Sequence, residues 1–258
     1  MSRLKVFPGR VSGRIKAPPS KSVTHRAVVL ASLAEGRSIV SNPLESRDTV
    51  ASVDGCKQLG ASIAQDANGW MVRGGLPCRT PSDVIDVQNS GTSMRLLTAT
   101  STLMSGGYAV LTGDSSTRQR PMQPLLDSLR DLGAECWSTR GTGEPPVVVR
   151  GGTVKGGVTR IRGDISSQFI SALLVAAPAF PQDTTVTVEG SVVSAPYVDM
   201  TLQVLERFGV TVKRQNLHEY LVPSQQQYEP CTFVVPGDFS SVALLLAVAA
   251  LTGSELTV

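Results

Sequence analysis

Clusters of hydroxyl-bearing and cationic residues precede long apolar segments, and their side chains are suited to binding an anion. In Asn89–Arg95 (NSGTSMR), an amide, several hydroxyls, a glycine and an arginine stand directly before an apolar run. If a helix begins there, its first turn presents unpaired backbone N–H groups and a partial positive charge. An anion can accept hydrogen bonds from these groups, from the hydroxyls and from the guanidinium. The cluster therefore predicts an anion-binding helix terminus.

This arrangement recurs along the chain, which indicates an internal repeat. Segments that open with small or polar residues and continue as largely apolar stretches follow one another at roughly 70–76 residues. They are residues 20–36, 90–106, 166–177 and 240–253. The cations close to them in sequence are Lys21, Arg26, Arg95 and Arg120. Recurrence at matching positions favours ligand binding over the alternative that each serine or threonine only caps its helix.

The elements that must position these clusters can be read from the same repeat. Each of the first three apolar segments is followed by a short β-rich run and then by an amphipathic helix. These helices are predicted at residues 49–61, 122–134 and 197–210, and each carries a glycine near its end, at Gly60, Gly133 and Gly209. A helix that is apolar on all sides is buried, whereas an amphipathic helix packs on one side. The sequence thus predicts an α/β fold whose central helices run parallel, with their N-termini pointing the same way.

Composition excludes several classes of function. The chain of 258 residues has a formal net charge of +3 without a basic stripe, and 5% aromatic residues, which argues against nucleic-acid binding. Its longest apolar run, Ala243–Leu251, is too short to span a bilayer, and the N-terminus lacks the apolar segment of a signal peptide. Four scattered cysteines and two histidines do not predict a zinc site, and scattered thiols are typical of the reducing cytoplasm.

Five short motifs carry a resemblance to a known family, the 5-enolpyruvylshikimate-3-phosphate synthases (EPSP synthases). The motifs are PSKSVTHR (19–26), NSGTSMR (89–95), RQRP (118–121), GDISSQF (163–169) and SAPY (194–197). They stand in the family's order, and the resemblance runs over the whole chain. It implies an enolpyruvyl transferase-like fold, an inside-out α/β barrel of repeated βαβαββ-type units. Three units and the start of a fourth can be counted in this sequence.

The resemblance also implies an activity. EPSP synthases transfer the enolpyruvyl group of phosphoenolpyruvate to the 5-hydroxyl of shikimate 3-phosphate and release phosphate, a step of the shikimate pathway toward chorismate and the aromatic amino acids. They are the target of glyphosate. No metal or organic cofactor, nucleic acid or membrane is implied, and the complete enzyme is expected to be a cytoplasmic monomer. Since both substrates carry several negative charges, the site has to hold two anions in contact.

Position within the motifs assigns a role to individual residues. Lys21 is expected to bridge both substrates and is the one residue assigned a catalytic part. The residues expected to bind shikimate 3-phosphate are Ser22 and Arg26 at the ring oxygens and carboxylate, Ser166, Ser167 and Ser194 at the phosphate, and Tyr197 beside the ring. Gln168 is expected between the two ligands. The residues expected to line the phosphoenolpyruvate pocket are Asn89, Gly91 and Arg120, the last at the phosphate.

Alternatives stay open for the function. The UDP-N-acetylglucosamine enolpyruvyl transferases share the fold but usually carry a reactive cysteine in the loop corresponding to residues 114–120, which has none here. RNA 3′-phosphate cyclases share the repeat architecture, but the low basic charge argues against them. A non-catalytic anion-binding module would need the same binding residues.

Five polar residues outside these assignments receive structural interpretations. Arg95 is expected either to bind ligand or to form an ion pair. The others are interpreted as structural: His25 and Asp48 at helix starts, Asp199 near a helix start, and His218 on the surface of a hairpin.

Domain boundaries are expected on both sides of the three repeats. By the family's pattern, residues 14–230 form the N-terminal enolpyruvyl transferase domain, on the shikimate 3-phosphate side. Residues 1–13 and 231–258 are expected to be partial segments of a second domain, whose remainder, with its acid/base carboxylates, is absent from this chain. This chain is therefore expected to bind shikimate 3-phosphate without turnover alone. The 231–258 segment is expected to be poorly anchored, and its apolar helix is expected to be exposed, to pair with another copy or to be covered by another partner.

Overall fold

The computed structural model describes Lys5, Phe7 and residues 9–258, in which short strands and helices alternate. The α-helices are α1 (Lys21–Leu33), α2 (Arg47–Gln58), α3 (Gly91–Ser101), α4 (Gln123–Asp131), α5 (Ser167–Ala176), α6 (Ala195–Arg207) and α7 (Phe239–Thr252). The strands are β1 (Ser12–Arg14), β2 (Gly36–Ser41), β3 (Ser62–Asp66), β4 (Gly69–Gly74), β5 (Ile85–Asp86), β6 (Tyr108–Thr112), β7 (Cys136–Ser138), β8 (Val147–Arg150), β9 (Gly157–Arg162), β10 (Thr184–Glu189), β11 (Lys213–Asn216), β12 (Glu219–Val222), β13 (Thr232–Val234) and β14 (Glu255–Thr257).

Three four-stranded sheets share one connectivity. Their strand orders are β13-β2-β4-β3, β5-β6-β8-β7 and β9-β10-β12-β11. In each sheet the first pair is parallel and the next two pairs are antiparallel. The β-rich runs predicted after the first three apolar segments are confirmed, because they lie in β2, β6 and β10, the inner strands of the three sheets.

The fold is mixed α/β, as predicted, but the described strands do not close into a barrel. The strands β3, β7 and β11 each pair on one side only, so every four-stranded sheet keeps a free edge. A barrel requires each edge strand to hydrogen-bond to a further strand, and these three do not.

The helices α1, α3 and α5 form the buried centre of the molecule. Nearly every residue of each one is buried, as the all-round apolar character of these segments predicts. The helix α3 packs on both α1 and α5, and each of the three helices also contacts a strand of one sheet. Ser20, Ser90 and Ser166 cap them, each accepting a hydrogen bond from a backbone N–H of the first turn. These three serines therefore act as N-caps.

The amphipathic helices α2, α4 and α6 pack beside the central ones, and their glycines end them. Gly60, Gly133 and Gly209 adopt φ values of 109°, 90° and 75°. A side chain is rarely tolerated at such angles, so the helical path stops there. Each helix ends three residues before the predicted bound, because the C-cap residue, the glycine and the residue after it all lie outside the helix.

At each predicted domain boundary a strand pairs with a strand from a distant part of the chain. The short strands β1 and β14 pair in parallel, so residues at the two ends of the described range lie together. At the other boundary, β13 pairs in parallel with β2, with Thr232 opposite Ile39. Phe233 and Val235 are buried in the main core. By its pairing, β13 is the fourth strand of the first sheet.

The helix α7 is almost entirely apolar, yet it is exposed. Of its residues only Ala249 is buried, while Phe239 and Leu251 are 81% and 88% exposed. Within residues 231–258 the exposure thus applies to α7, whereas Phe233 and Val235 are buried. Among those residues, no helix combines the length and the hydropathy that crossing a bilayer requires.

Candidate functional site

The first turns of four helices meet at one open pocket of about 330 Å³. The residues that line it are Lys21, Ser22, Arg26, Thr92, Ile165, Ser166, Ser167, Gln168, Val193, Ser194 and Tyr197. They belong to the N-terminal ends of α1, α3, α5 and α6 or directly precede them. The pocket is thus surrounded by helix termini, which favour an anion through their free N–H groups and partial positive charge. The sequence predicted three of these termini and missed that of α6.

Arg26 is a buried cation that has no carboxylate partner in the part of the chain that the structure describes. The residue is 2% exposed. Its Nε donates to Thr201 Oγ1 at 2.7 Å, its Nη2 to Ser171 Oγ at 3.0 Å, and its Nη1 to the Ser22 carbonyl at 2.8 Å. Burial lowers the pKa of Arg26 to about 10, so it stays charged at neutral pH. A buried charge with neutral partners only is costly, which predicts that the pocket receives an anion.

The serines of the pocket differ in how their hydroxyls are used. Ser166 caps α5, and its hydroxyl accepts from the Gln168 N–H at 3.2 Å. Ser194 precedes α6 in a left-handed conformation, with φ 56° and ψ 41°, and makes no capping hydrogen bond. A residue other than glycine pays about 1–2 kcal/mol for this conformation. The Ser194 hydroxyl is therefore held at the pocket without a local structural task.

Lys21 lies at the mouth of the pocket and pairs with Asp48. Its Nζ is 3.0 Å from Asp48 Oδ2, and the two side chains are 49% and 28% exposed. An ion pair with this exposure contributes little to stability, and the half-exposed ammonium is open to a ligand while it lies beside Asp48. Asp48 lies in the first turn of α2, which confirms its interpretation as a helix N-terminal acid.

A second cationic cluster adjoins the pocket at Gly91. A Cβ on Gly91 would overlap Arg120 Nη1 and would stand 2.5 Å from Arg95 Nη1, so both guanidinium groups lie against this glycine. Arg120 Nη2 is 3.5 Å from Asn89 Oδ1, and Asn89 donates to Asp114 Oδ2 at 2.6 Å. The three residues predicted for the second substrate, Asn89, Gly91 and Arg120, therefore lie together, outside the lining of the first pocket.

Arg95 forms no ion pair among the described residues, so that alternative is wrong. Its Nη1 and Nη2 donate to the carbonyls of Gly91 and Pro121, at 3.0 and 3.1 Å. Its Cζ lies 5.7 Å from the ring centroid of Phe169. Burial, and then the nearby Arg120, lower the pKa of Arg95 to about 10. Two neighbouring cations without a paired carboxylate favour an anion at Gly91.

Sequence reasoning missed several residues of the site. Thr92 lines the pocket and accepts from Gln168 Nε2 at 3.3 Å, which joins the pocket to the Gly91 cluster. The sequence signal that could have identified Thr92 is its position inside the NSGTSMR motif. Ser171 and Thr201, which hold Arg26, stand in no motif, because their role arises only where α1, α5 and α6 pack together.

The remaining polar residues lie outside the pocket lining. His218 is exposed in the turn between β11 and β12, as predicted. Asp199 pairs with Arg214. His25 was expected at a helix start, but it is 0% exposed within α1. Burial, and then the neighbouring Arg26, lower the pKa of His25 to about 3.

Buried His25 predicts a loss of stability in mild acid. A group whose pKa is lower in the folded state binds its proton mainly in the unfolded state, so stability is present above pH 6.5 and lost as the pH falls toward 3. Between pH 7 and pH 5 we expect the free energy of unfolding to fall by about 2 kcal/mol. Urea unfolding at both pH values measures it. The variant His25→Asn should show a correspondingly smaller fall, and an equal fall would contradict the assignment.

Comparison with known proteins shows which family the chain resembles. The family model of EPSP synthase (3-phosphoshikimate 1-carboxyvinyltransferase) matches residues 7–258. The 3-phosphoshikimate 1-carboxyvinyltransferase of Methanocaldococcus jannaschii is 45% identical over 251 residues, which are 96% of this chain and 58% of that protein. The protein of the same name from Methanosphaera stadtmanae is 45% identical over 255 residues, 96% of this chain and 60% of its own length.

Solved structures give the same result at lower sequence identity. An EPSP synthase structure from Acinetobacter baumannii superposes with a TM-score of 0.84 at 31% identity, covering 97% of this chain and 56% of that one. The chain thus spans less than two thirds of the length of these relatives. With a family model that matches nearly every residue and a fold shared at this level, the chain belongs to the EPSP synthase family.

Proposed function

We propose that the protein carrying this chain transfers the enolpyruvyl group of phosphoenolpyruvate to the 5-hydroxyl of shikimate 3-phosphate. The observation that carries the proposal is Arg26, a buried guanidinium at a pocket formed by helix N-termini, which pairs with no carboxylate of the described residues. The adjoining cluster at Gly91 supplies a second place for an anion. Two anion-binding sites side by side are what a reaction between two phosphorylated carboxylic acids requires.

The first pocket is proposed to hold shikimate 3-phosphate. Arg26 and Ser22 bind the carboxylate and ring oxygens, for which the planar guanidinium is well shaped. Tyr197 packs beside the ring. The phosphate is bound by the hydroxyls of Ser166, Ser167 and Ser194, which line one side of the pocket at the starts of α5 and α6.

The Gly91 cluster is proposed to hold phosphoenolpyruvate. Arg120 binds its phosphate, and Asn89 and Gly91 line the space beside it. Thr92 and Gln168 stand between the clusters, joined by their hydrogen bond of 3.3 Å, and Lys21 is proposed to contact both substrates. A compact ammonium with three donors suits such bridging.

Enolpyruvyl transfer requires two steps at carbon 2 of phosphoenolpyruvate. The 5-hydroxyl oxygen adds there while carbon 3 takes up a proton, and loss of phosphate with a proton then gives the enol ether. The described pocket residues bind and orient the reactants, but no Asp, Glu or His is among them. We therefore expect the 258-residue chain alone to bind shikimate 3-phosphate without turnover.

Three repeats are proposed as the frame of this site. The three sheets of equal connectivity and the three capped, buried helices support a domain of three units. We propose that this domain extends from about residue 14 to about residue 235, so that it includes β13. The paired strands β1 and β14, with α7, are proposed to belong to a second domain.

Ser194 offers a prediction that separates binding from stability. Replacing it with glycine removes the cost of the left-handed backbone, so Ser194→Gly should raise the free energy of unfolding by about 0.5–1 kcal/mol. It also removes a hydroxyl that donates to the phosphate, so the Kd for shikimate 3-phosphate should rise about tenfold. Urea unfolding and calorimetry measure the two effects. A Ser194→Gly chain that is less stable, or that binds as well as before, would contradict the proposed role.

Phosphate release tests the whole proposal. The protein carrying this chain should release phosphate from phosphoenolpyruvate only when shikimate 3-phosphate is present, and Lys21→Met should abolish most of this rate. Release with UDP-N-acetylglucosamine instead would favour the related enolpyruvyl transferase. Saturable binding of shikimate 3-phosphate with no release under any condition would favour a binding module.

A further inference from the structure

Buried hydroxyl groups form a chain of hydrogen bonds that connects His25 to the Asp48 carbonyl and to the first turn of α3. His25 Nδ1 is 2.8 Å from Ser52 Oγ, and Ser52 Oγ is 2.7 Å from Ser93 Oγ. Ser93 Oγ is 2.7 Å from Ser90 Oγ and donates to the Asp48 carbonyl at 3.2 Å. All four side chains are buried, at most 1% exposed. The chain therefore runs from α1 through α2 to the first turn of α3.

The direction of the hydrogen bonds in this chain follows from counting protons. We assign the single hydroxyl proton of Ser93 to the Asp48 carbonyl, the one oxygen beside it that can only accept. Ser52 and Ser90 must then both donate to Ser93 Oγ, which has two lone pairs. With its own proton used, Ser52 can only accept from His25, so Nδ1 of His25 carries the proton. This leaves Nε2 without a proton, and Nε2 is the nitrogen that has no hydrogen-bond partner among the described residues.

The end of this chain lies at the site. Asp48, whose carbonyl accepts from Ser93, holds Lys21 Nζ through its side chain at 3.0 Å. Ser93 and Ser90 form the capped first turn of α3, which contains Gly91 and Thr92. The polar chain thus ties the starts of α1, α2 and α3 to one another. A leucine at position 25 would avoid the cost of burying an unpaired nitrogen. What the histidine has and the leucine would lack is the hydrogen bond that His25 donates.

We propose that His25 is a positioning residue, which fixes Asp48 beside Lys21 and the first turn of α3 beside the pocket through the one-way chain His25→Ser52→Ser93→Asp48 carbonyl. The part that concerns ligand affinity rests on the proposed function, while the hydrogen-bond direction does not. Three variants separate the contributions. His25→Leu removes the donor, His25→Asn keeps an N–H donor at the position of Nδ1, and Ser93→Ala removes the central link. Ser101→Ala is the matched control, because Ser101 is a buried serine at the other end of α3.

Calorimetry with shikimate 3-phosphate tests the effect on Lys21. We expect His25→Leu and Ser93→Ala each to raise the Kd about two- to tenfold, whereas His25→Asn and Ser101→Ala stay within about twofold. In a Lys21→Met background the loss from His25→Leu should become smaller, because the chain then has no ammonium to position and acts only through the first turn of α3. A loss of equal size in that background would overturn the proposal, since it would show a general effect on the fold.

Two measurements without ligand test the proposal even if shikimate 3-phosphate does not bind at all. Such a lack of binding would contradict the proposed function. Nitrogen-15 NMR of the histidine rings, assigned with His218→Gln, should show the proton of His25 on Nδ1. Hydrogen exchange should become faster at the first turns of α2 and α3 in His25→Leu and Ser93→Ala, but not in His25→Asn. A proton on Nε2, or unchanged exchange in both disrupting variants, would overturn the positioning role.

Discussion

Replacing Arg26 with alanine is expected to weaken the binding of shikimate 3-phosphate to the 258-residue chain by about tenfold to a hundredfold. Arg26 is buried and is held by Thr201, Ser171 and Ser22, all neutral partners. A bound ligand would therefore be the first anion to pair with this guanidinium. Hydrogen bonds between charged groups contribute roughly 1.5–3 kcal/mol each, and a buried site is screened less than a surface one.

Two further variants show whether charge and geometry both matter at this position. Arg26→Lys keeps the charge but loses the planar fork, so it should recover only part of the affinity. Arg160→Ala is the control, because Arg160 lies on β9 with a side chain that is 75% exposed, and it should bind like the parent chain. Circular dichroism establishes that each variant is folded. Equal affinity of Arg26→Ala and the parent chain would show that Arg26 does not bind the ligand.

Replacing Gly91 with alanine is expected to raise the inhibition constant for glyphosate at least about tenfold more than it raises the KM for phosphoenolpyruvate. The added Cβ would overlap Arg120 Nη1 and crowd Arg95 Nη1. Both contacts are at the ends of flexible side chains, so the protein can relieve them by moving the guanidinium groups. The space beside Gly91 nevertheless shrinks, and the longer inhibitor needs more of it than the substrate does.

Steady-state kinetics of an active enzyme that carries this chain measure both constants for Gly91→Ala. Gly106→Ala is the matched control, because no atom lies within 4 Å of a Cβ built there, and it should change neither constant. Equal rises of the two constants in Gly91→Ala would show that position 91 does not discriminate between inhibitor and substrate. If neither the inhibition constant nor the KM changed, phosphoenolpyruvate would have to bind at a place other than Gly91.

Local patterns predicted the helices of the site because each signal lies within one stretch of chain. Ser20, Ser90 and Ser166 cap the helices that the apolar segments predict, and Gly60 ends its helix because of its positive φ. These properties depend on the residue and on its neighbours in sequence. The motif residues of the pocket come together because the termini that carry them converge.

Other features depend on contacts between distant segments and have no local signal. The pairing of β13 with β2 joins residues nearly two hundred positions apart, a separation visible in the register of Thr232 opposite Ile39. The partners that bury Arg26, and the depth at which His25 lies, are likewise set by helix packing. Periodicity indicates which side of a helix is buried but not which polar group stands opposite it.

The pocket at the starts of α1, α3, α5 and α6 is proposed to bind shikimate 3-phosphate. Isothermal titration of the 258-residue chain with shikimate 3-phosphate, shikimate and inorganic phosphate tests it most directly. We expect saturable one-to-one binding of shikimate 3-phosphate, at least about tenfold tighter than shikimate, since the phosphate adds charge-assisted hydrogen bonds from the pocket serines. Heats no greater than dilution for both shikimate 3-phosphate and shikimate would contradict the claim.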